Sequence, residues 1–575
     1  MKTSDIVIGM VGSGGDGVVA IGDILTTTAA LEGLHCMQVK SFGAQIRGGE
    51  SSCVLRISTK QAYSQGGILD VLVAFNWEDY KRFSGELKVK KNVIVITDEK
   101  DIQENLPLND NIKPTEIFKI PFDSLVKESG NPKAKNIIAL GVMSEILSLP
   151  KDGLKKSIAR KFGKKKQEIL DANLKALDLG INYASKNGLK ASLQFDYSPG
   201  KPYCIATGND AIAYGAIVAG CKFCASYPIT PASEIMEWMS RELPKFGGTM
   251  IQAEDEISAV CMVTGASFGG VKAMTSSSGP GISLKIEAIG LGTMAELPYV
   301  VVNVQRGGPA TGVPTKSEQA DLMQAIYGMH GDAPHAVIAP TDVEDCFEVA
   351  IRAFNTAEQY QMPVIILSDQ FIGHRKETVV PFDAKKVEVL SRAVPSNPQK
   401  REYKRFALTD TGVSPMSYPG IKGGEYTCVG IEHDEFGRPT SNHNVHETMS
   451  TKRAKKLQTL AKNYKFIRRY GSNKPEIGII AWGSTKGVVR EAVEALEAKG
   501  KKAGALIPQL MFPLQADLIG DFIGSCKKLV IVEMSYSGQF KNYLSSHVKL
   551  PDNCLHVKSS GGKLFTVDDI LKVLL

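Results

Sequence analysis

Residues 252–315 constrain the fold more than any other stretch of the chain. Two short stretches, a strand expected over 271–275 and the largely apolar run 299–304, each lead into a glycine-rich turn. The first turn is Ser276-Ser277-Ser278-Gly279-Pro280-Gly281, and the second is Gln305-Arg306-Gly307-Gly308-Pro309. Apolar runs without polar alternation fit strands buried on both faces, as in a parallel sheet covered by helices. Glycine at the turn lets backbone approach a ligand closely. Ligands of open α/β sheets lie beyond the carboxyl ends of the strands, which is where Arg306 falls. Upstream, Glu256 heads a run in which Ala259, Val260, Val263, Gly265 and Ala266 recur at helical spacing. A carboxylate there is subject to opposing influences, dehydration raising its pKa and the helix N-terminus lowering it. Taken alone, Glu256 reads as a helix-capping acid; its neighbours make it a candidate for chemistry.

Four motifs occur in order. They are Tyr227-Pro228-Ile229-Thr230-Pro231-Ala232-Ser233, Glu254-Asp255-Glu256-Ile257, Ser277-Ser278-Gly279-Pro280-Gly281, and the loop from Gln305-Arg306-Gly307-Gly308-Pro309 through Thr311 to Pro314-Thr315. Together they resemble the α subunit of the 2-oxoacid:ferredoxin oxidoreductases. The first part of the chain resembles that family's γ subunit fused ahead of α, so the resemblance covers essentially the whole chain. It implies that Glu256 meets N1′ of the aminopyrimidine of thiamine diphosphate and promotes the imino tautomer. Tyr227, Pro228, Ile229, Ser278 and Gly279 are then cofactor-binding candidates. Arg306 is placed on the planar carboxylate of a 2-oxoacid, with Thr311, Thr315 and Lys316 in the loop beside it. Thr230, held between two prolines, bonds the substrate, caps the helix expected over 232–239, or does both. For Arg306 the plain alternative is a surface salt bridge, against which the flanking glycines argue.

The resemblance implies an α/β fold of three α/β domains: a γ-type glycine-rich domain, a thiamine-diphosphate pyrimidine-type domain and a transketolase C-terminal-like domain. The expected divisions are 1–190, a linker at 191–202, 203–375, an irregular connecting segment at 376–474, and 475–575. That count agrees with 575 residues, enough for about three to five domains. The connecting segment is broken by Pro395, Pro398, Pro415, Pro419 and Pro439 and is too long for a plain linker. Its His433 reads as structural. Between Lys155 and Lys166 the basic residues read as a solvated helix face. A net charge of +7 is mild and would attract an acidic redox protein or an anionic substrate without pointing to nucleic acid. No run reaches about 18 apolar residues and the N-terminus lacks a secretory apolar region, so the expected compartment is the cytoplasm.

The strand expected over 5–11 runs into Gly12-Ser13-Gly14-Gly15-Asp16-Gly17, which satisfies the dinucleotide glycine pattern. That fingerprint also asks for an acid at the end of the second strand, and the run 35–42 offers Lys40-Ser41 instead, which argues against a nicotinamide domain. Gly-Asp-Gly at Asp16 also resembles the opening of the thiamine enzymes' metal-diphosphate motif, but the asparagine that completes it is missing; the first asparagine is Asn76. The chain thus carries the half of the site that activates the pyrimidine and lacks the half that binds Mg²⁺ and diphosphate. Of ten cysteines only Cys221 and Cys224 have ligand spacing, and a cluster usually needs four thiolates. No metal is therefore expected on this chain. By resemblance, a β subunit brings Mg²⁺-diphosphate and a [4Fe–4S] cluster in an (αβ)₂ assembly, with ferredoxin as acceptor. Coenzyme A is the acyl acceptor, and Gly12, Gly14 and Arg47 are candidates to hold it, a structural turn being the alternative. The γ-before-α order without a ferredoxin-like cysteine run favours 2-oxoglutarate over pyruvate or branched-chain oxoacids. Its distal carboxylate would need Lys316, Arg47 or the partner chain. A non-redox thiamine lyase using this chain as half its site is the alternative of a different class.

Overall fold

The computed structural model describes residues 1–43, 49–101, 106–109 and 111–575. They form two compact units, Met1–Thr207 with His374–Pro381, and Gly208–Gly373 with Phe382–Leu575.

The first unit is built on an eight-stranded sheet in the order Glu116–Ile120, Val89–Asp98, Leu69–Ala74, Asp5–Gly12, Ser51–Ser58, His35–Phe42, Lys376–Val379, Cys204–Thr207. The first four strands are parallel, and every pairing from Asp5–Gly12 onward is antiparallel. His35–Phe42 therefore does not neighbour Asp5–Gly12, and its end is not the place from which a fingerprint acid would reach a ribose. Helix Val18–Leu31 buries Ile21, Ile24 and Leu25. Helices Lys135–Leu147 and Gln167–Lys186 cross at glycines: a Cβ on Gly141 would lie 2.2 Å from the Leu177 carbonyl oxygen, and one on Gly180 the same distance from that of Ile138. Basic residues 155, 156, 160, 161 and 164–166 are exposed, as expected of a solvated face. The chain passes between units after Thr207 rather than at 203, because Cys204–Thr207 pairs with Lys376–Val379 and completes this sheet's edge.

The second unit holds two sheets. One runs Thr249–Gln252, Phe223–Ser226, Ala273–Ser277, Tyr299–Gln305, Pro363–Asp369, Ala336–Ile338 and Leu510–Phe512, parallel except for the last strand. All seven residues of Tyr299–Gln305 are buried, Asn303 and Gln305 with them, as a strand covered on both faces requires. The other runs Ile467–Gly471, Ala503–Pro508, Ile477–Ala481, Lys528–Glu533 and Leu555–Lys558, its first strand antiparallel.

The segment expected to be irregular contains a 21-residue helix, His443–Asn463. Its prolines end at Pro439, and Asn442 caps the helix by accepting from the amides of Asn444 and Val445. Lys452 and Lys456 of this helix are buried on the carboxylate of Glu296. The Arg405 guanidinium also donates to the Glu296 carbonyl at 2.8 Å. This local set of charges fastens the connecting segment to the turn after helix Gly279–Met294. His433 is buried, its ring tilted against that of Phe406 with centroids 4.1 Å apart and Nδ1 on the Ile431 carbonyl.

Candidate functional site

Asp255, not Glu256, caps helix Glu256–Phe268. Its carboxylate accepts from the Ser258 amide at 2.7 Å while the Ser258 hydroxyl faces the Asp255 amide, a closed capping box. Glu256 is thereby left free of the capping role. Its side chain is only 7% exposed and lies against the glycine-rich turn that opens helix Gly279–Met294. A Cβ on Gly281 would lie 2.6 Å from Glu256 Oε1 and 2.1 Å from Ser277 Oγ, so the contact requires glycine.

Behind Glu256 stands a residue that the sequence reading missed. Lys285, fully buried, donates from Nζ to the Glu256 carbonyl at 3.0 Å and to Thr275 Oγ1 at 3.2 Å. Burial pushes its ammonium down to about 8, with Glu256 and other neighbouring acids acting against that fall. One signal was available: Lys285 stands among Ile282, Ile286 and Ile289, the apolar positions three before, one after and four after it on the helix.

The strands Ala273–Ser277 and Tyr299–Gln305 are adjacent and in register, Ser277 opposite Asn303. At their carboxyl ends Ser277 Oγ, Ser278 Oγ, Asn303 Oδ1 and Arg306 Nε are buried with no partner. Buried polar atoms are nearly always satisfied, so four orphans at two adjacent strand ends mark groups held ready for something the chain does not itself supply. Mixed donors and acceptors beside a buried carboxylate and a guanidinium fit an aminopyrimidine and an organic acid.

Arg306 is buried, and burial lowers its pKa while Asp321 opposes that. Nη1 donates to the Thr230 carbonyl at 2.5 Å. The structure thus ties Thr230 to Arg306 through backbone, and the helix Ser233–Glu242 has Ala232 as its N-cap residue, so Thr230 does not cap it. Tyr227 and Pro228 are exposed and Ile229 is half-buried, just past the strand Phe223–Ser226. The loop beyond Arg306 folds back on itself, Gly307 N–H donating to the Lys316 carbonyl and Val313 N–H to that of Gly307. Thr311 is exposed in it, Thr315 and Lys316 are half-buried, and the Lys316 stem packs on Gly562, where a Cβ would lie 2.6 Å from Lys316 Cβ.

Arg306, Gly279, Glu318, Asp321 and Tyr536 line a cavity of about 550 Å³. Asp321, also unflagged in the sequence, is held up to about 6: desolvation dominates and Glu318 adds to it, against Asn303 and Arg306. Nothing in the run Glu318 to Leu322 marks it; only the fold brings it to Gly279.

The other glycine turn is different. Asp16 Oδ2 accepts from the Ser13 amide at 2.8 Å, and a Cβ on Gly12 would lie 2.8 Å from the same oxygen. The Ser13 hydroxyl donates to Asp79 at 2.6 Å. Lys135 is shared between Asp98, at 3.1 Å, and Asp16, at 3.8 Å. A phosphate at Gly12 and Gly14 would meet carboxylates, which favours the structural-turn alternative; Arg47 lies outside the described residues. Cys221 and Cys224 are buried, the Cys224 thiol pushed up to about 12 by burial.

Three family descriptions match the chain. "Pyruvate flavodoxin/ferredoxin oxidoreductase, thiamine diP-bdg" covers residues 214–452, "Pyruvate ferredoxin/flavodoxin oxidoreductase" residues 7–183, and "Pyruvate:ferredoxin oxidoreductase core domain II" residues 475–570. The 2-oxoglutarate oxidoreductase subunit KorA of Mycobacterium tuberculosis is 34% identical over 93% of this chain and 86% of its own length. The 2-oxoacid:ferredoxin oxidoreductase subunit alpha of Saccharolobus solfataricus is 30% identical over 92% of this chain and 91% of its own. Among solved structures, the 2-oxoglutarate:ferredoxin oxidoreductase from Magnetococcus marinus, with 2-oxoglutarate, coenzyme A and succinyl-CoA bound, superposes with a TM-score of 0.93. It is 36% identical, and the match covers 100% of this chain and 99% of that one.

Proposed function

Since this chain belongs to the 2-oxoacid:ferredoxin oxidoreductases as their α-type subunit, we propose that it serves a cytoplasmic 2-oxoglutarate:ferredoxin oxidoreductase. The reaction takes 2-oxoglutarate, coenzyme A and two oxidised ferredoxins to succinyl-CoA, CO₂, a proton and two reduced ferredoxins, or runs in reverse. The observation that carries this reading is that Glu256, released from capping, lies against the turn at Gly281 while the two neighbouring strand ends keep four buried polar atoms unpartnered.

Thiamine diphosphate, when bound, supplies the nucleophilic carbon and the electron sink that decarboxylation of a 2-oxoacid needs. Glu256 would hold the aminopyrimidine through its carboxylate, and Lys285 fixes the helix start from which Glu256 projects. Ser277, Ser278 and Gly279 would line its site, the two serine hydroxyls being buried without a partner. With Nη1 of Arg306 engaged on Thr230, the edge formed by Nε and Nη2 remains to grip a carboxylate through two parallel hydrogen bonds. Lys316, steadied by Gly562, is the candidate for the distal carboxylate.

A partner is implied by the surface around Glu256. Ile257, Met262, Leu284 and Leu291 are exposed on the two helices that flank it, an apolar face that a β subunit would cover. That subunit would bring the Mg²⁺-diphosphate site and the [4Fe–4S] cluster in an (αβ)₂ assembly. Coenzyme A would meet the N-terminal unit elsewhere than in its acid-filled glycine turn. The test is copurification with the partner and a substrate panel read by reduction of a dye. A brown complex fastest with 2-oxoglutarate is the expected result; a colourless, non-reducing complex would give the lyase alternative, and a preference for pyruvate would move the substrate assignment.

A further inference from the structure

Two carboxylates, Asp321 and Glu318, share the 550 Å³ cavity with a single guanidinium, Arg306. An anionic substrate entering such a site meets more negative charge than positive. Glu318 has an outlet, since its Oε1 accepts from the Gly561 amide at 2.5 Å. Asp321 has little. Its Oδ2 accepts one hydrogen bond, from Asn303 Nδ2 at 3.1 Å, and among the described residues it joins no ion pair. The turn at Gly279 closes over it, so that a Cβ there would lie 2.9 Å from Oδ2 and 3.2 Å from Oδ1. A half-buried carboxylate with one donor, covered by the Gly279 turn and sharing its cavity with Glu318, is poorly stabilised as an anion.

We propose that Asp321 is a substrate-binding residue that acts in its neutral form, donating its O–H to the 2-oxoacid carboxylate held by Arg306. The substrate then binds together with one proton, taken from solvent onto Asp321 and returned when the site empties. When ionised, Asp321 repels the incoming carboxylate and competes for Arg306. The groups that face it are few: Arg306 lowers its pKa, Glu318 raises it, Asn303 favours the anion, and the net result is a carboxyl near 6 before substrate arrives. A bound anion raises it further. This inference rests on Arg306 being the carboxylate anchor.

The experiment uses the assembled complex with its β subunit. In the wild type, KM for 2-oxoglutarate rises by about tenfold per pH unit on the alkaline side of Asp321's titration while kcat changes little. Calorimetry on the complex freed of thiamine diphosphate, so that nothing turns over, gives proton uptake approaching one per site when two buffers of different ionisation heat are compared. D321N binds with no proton uptake and a flat KM profile. E318Q, which removes the like charge but keeps an acceptor for Gly561, moves the onset of the rise to lower pH. A D321N enzyme with the wild-type slope and proton uptake, or an E318Q onset that is unmoved or displaced to higher pH, would overturn the proposal. R306A separates the two ideas: weak binding at every pH leaves the anchor in place, and wild-type binding removes the anchor itself.

Discussion

The two glycine-rich turns at strand ends look alike in sequence and differ in what they leave unsatisfied. At Gly12–Gly17 the chain answers its own polar groups: Asp16 takes the Ser13 amide, Asp79 takes the Ser13 hydroxyl, and Lys135 sits between Asp98 and Asp16. At 276–281 it does not, and Ser277, Ser278, Asn303 and Arg306 each keep a buried atom without a partner beside Glu256. A glycine pattern specifies the backbone path. Whether that path is a site depends on the polar balance around it.

The largest break would come from E256Q, expected to cut turnover of the assembled enzyme by about 100- to 10,000-fold with gel filtration showing an intact complex. Wild-type turnover would make the second turn as structural as the first. E296Q sharpens the contrast from the other side, since Glu296 is a buried glutamate fully served by Lys452 and Lys456. Those lysines hold its carboxyl far below the ordinary 4.5 against the opposing effect of burial. Its contribution to stability is therefore present above about pH 4.5 and is lost as pH falls below that. Weakening this buried set should cost about 3–5 kcal/mol in denaturant unfolding and leave kcat of surviving enzyme close to normal.

K285M should weaken thiamine diphosphate binding by about tenfold, the worth of one charge-assisted hydrogen bond, read by quenching of protein fluorescence. Because burial depresses the Lys285 ammonium to about 8, wild-type affinity should fall as pH rises through 8, and that of K285M should not. The smallest effect belongs to D16N. If the first turn is only a turn, KM for coenzyme A changes by less than about threefold, below about 1 kcal/mol. A marked tightening would mean that phosphate does approach it.

The parallel core was legible because its strands carry their burial in their own residues: Tyr299–Gln305 could hardly be anything else. Glu256 and Arg306 were legible as candidates because each follows or faces a glycine turn. What escaped depended on distant partners. Helix His443–Asn463 reads as polar, yet Lys452 and Lys456 point inward to a glutamate about 150 residues away. The antiparallel half of the first sheet hid because strand direction is set by pairing, and His35–Phe42 looks the same either way. Asp321 carries no local mark, since the turn that covers it, at Gly279, and its one donor, Asn303, lie on other elements. Thr230 appeared suited to capping, but Ala232 occupies that position.

Leu510–Phe512 pairs with Ala336–Ile338, so a strand from the C-terminal region forms the edge of the sheet that carries Glu256 and Arg306. Gln319 adds a second seam, bonding the Trp482 carbonyl and the Met534 amide. Cutting the gene after residue 474 would strip that border and leave a raw β edge prone to clumping. Recombination between relatives would have to carry both segments as one cassette, and a chimera joined at that point should go into inclusion bodies.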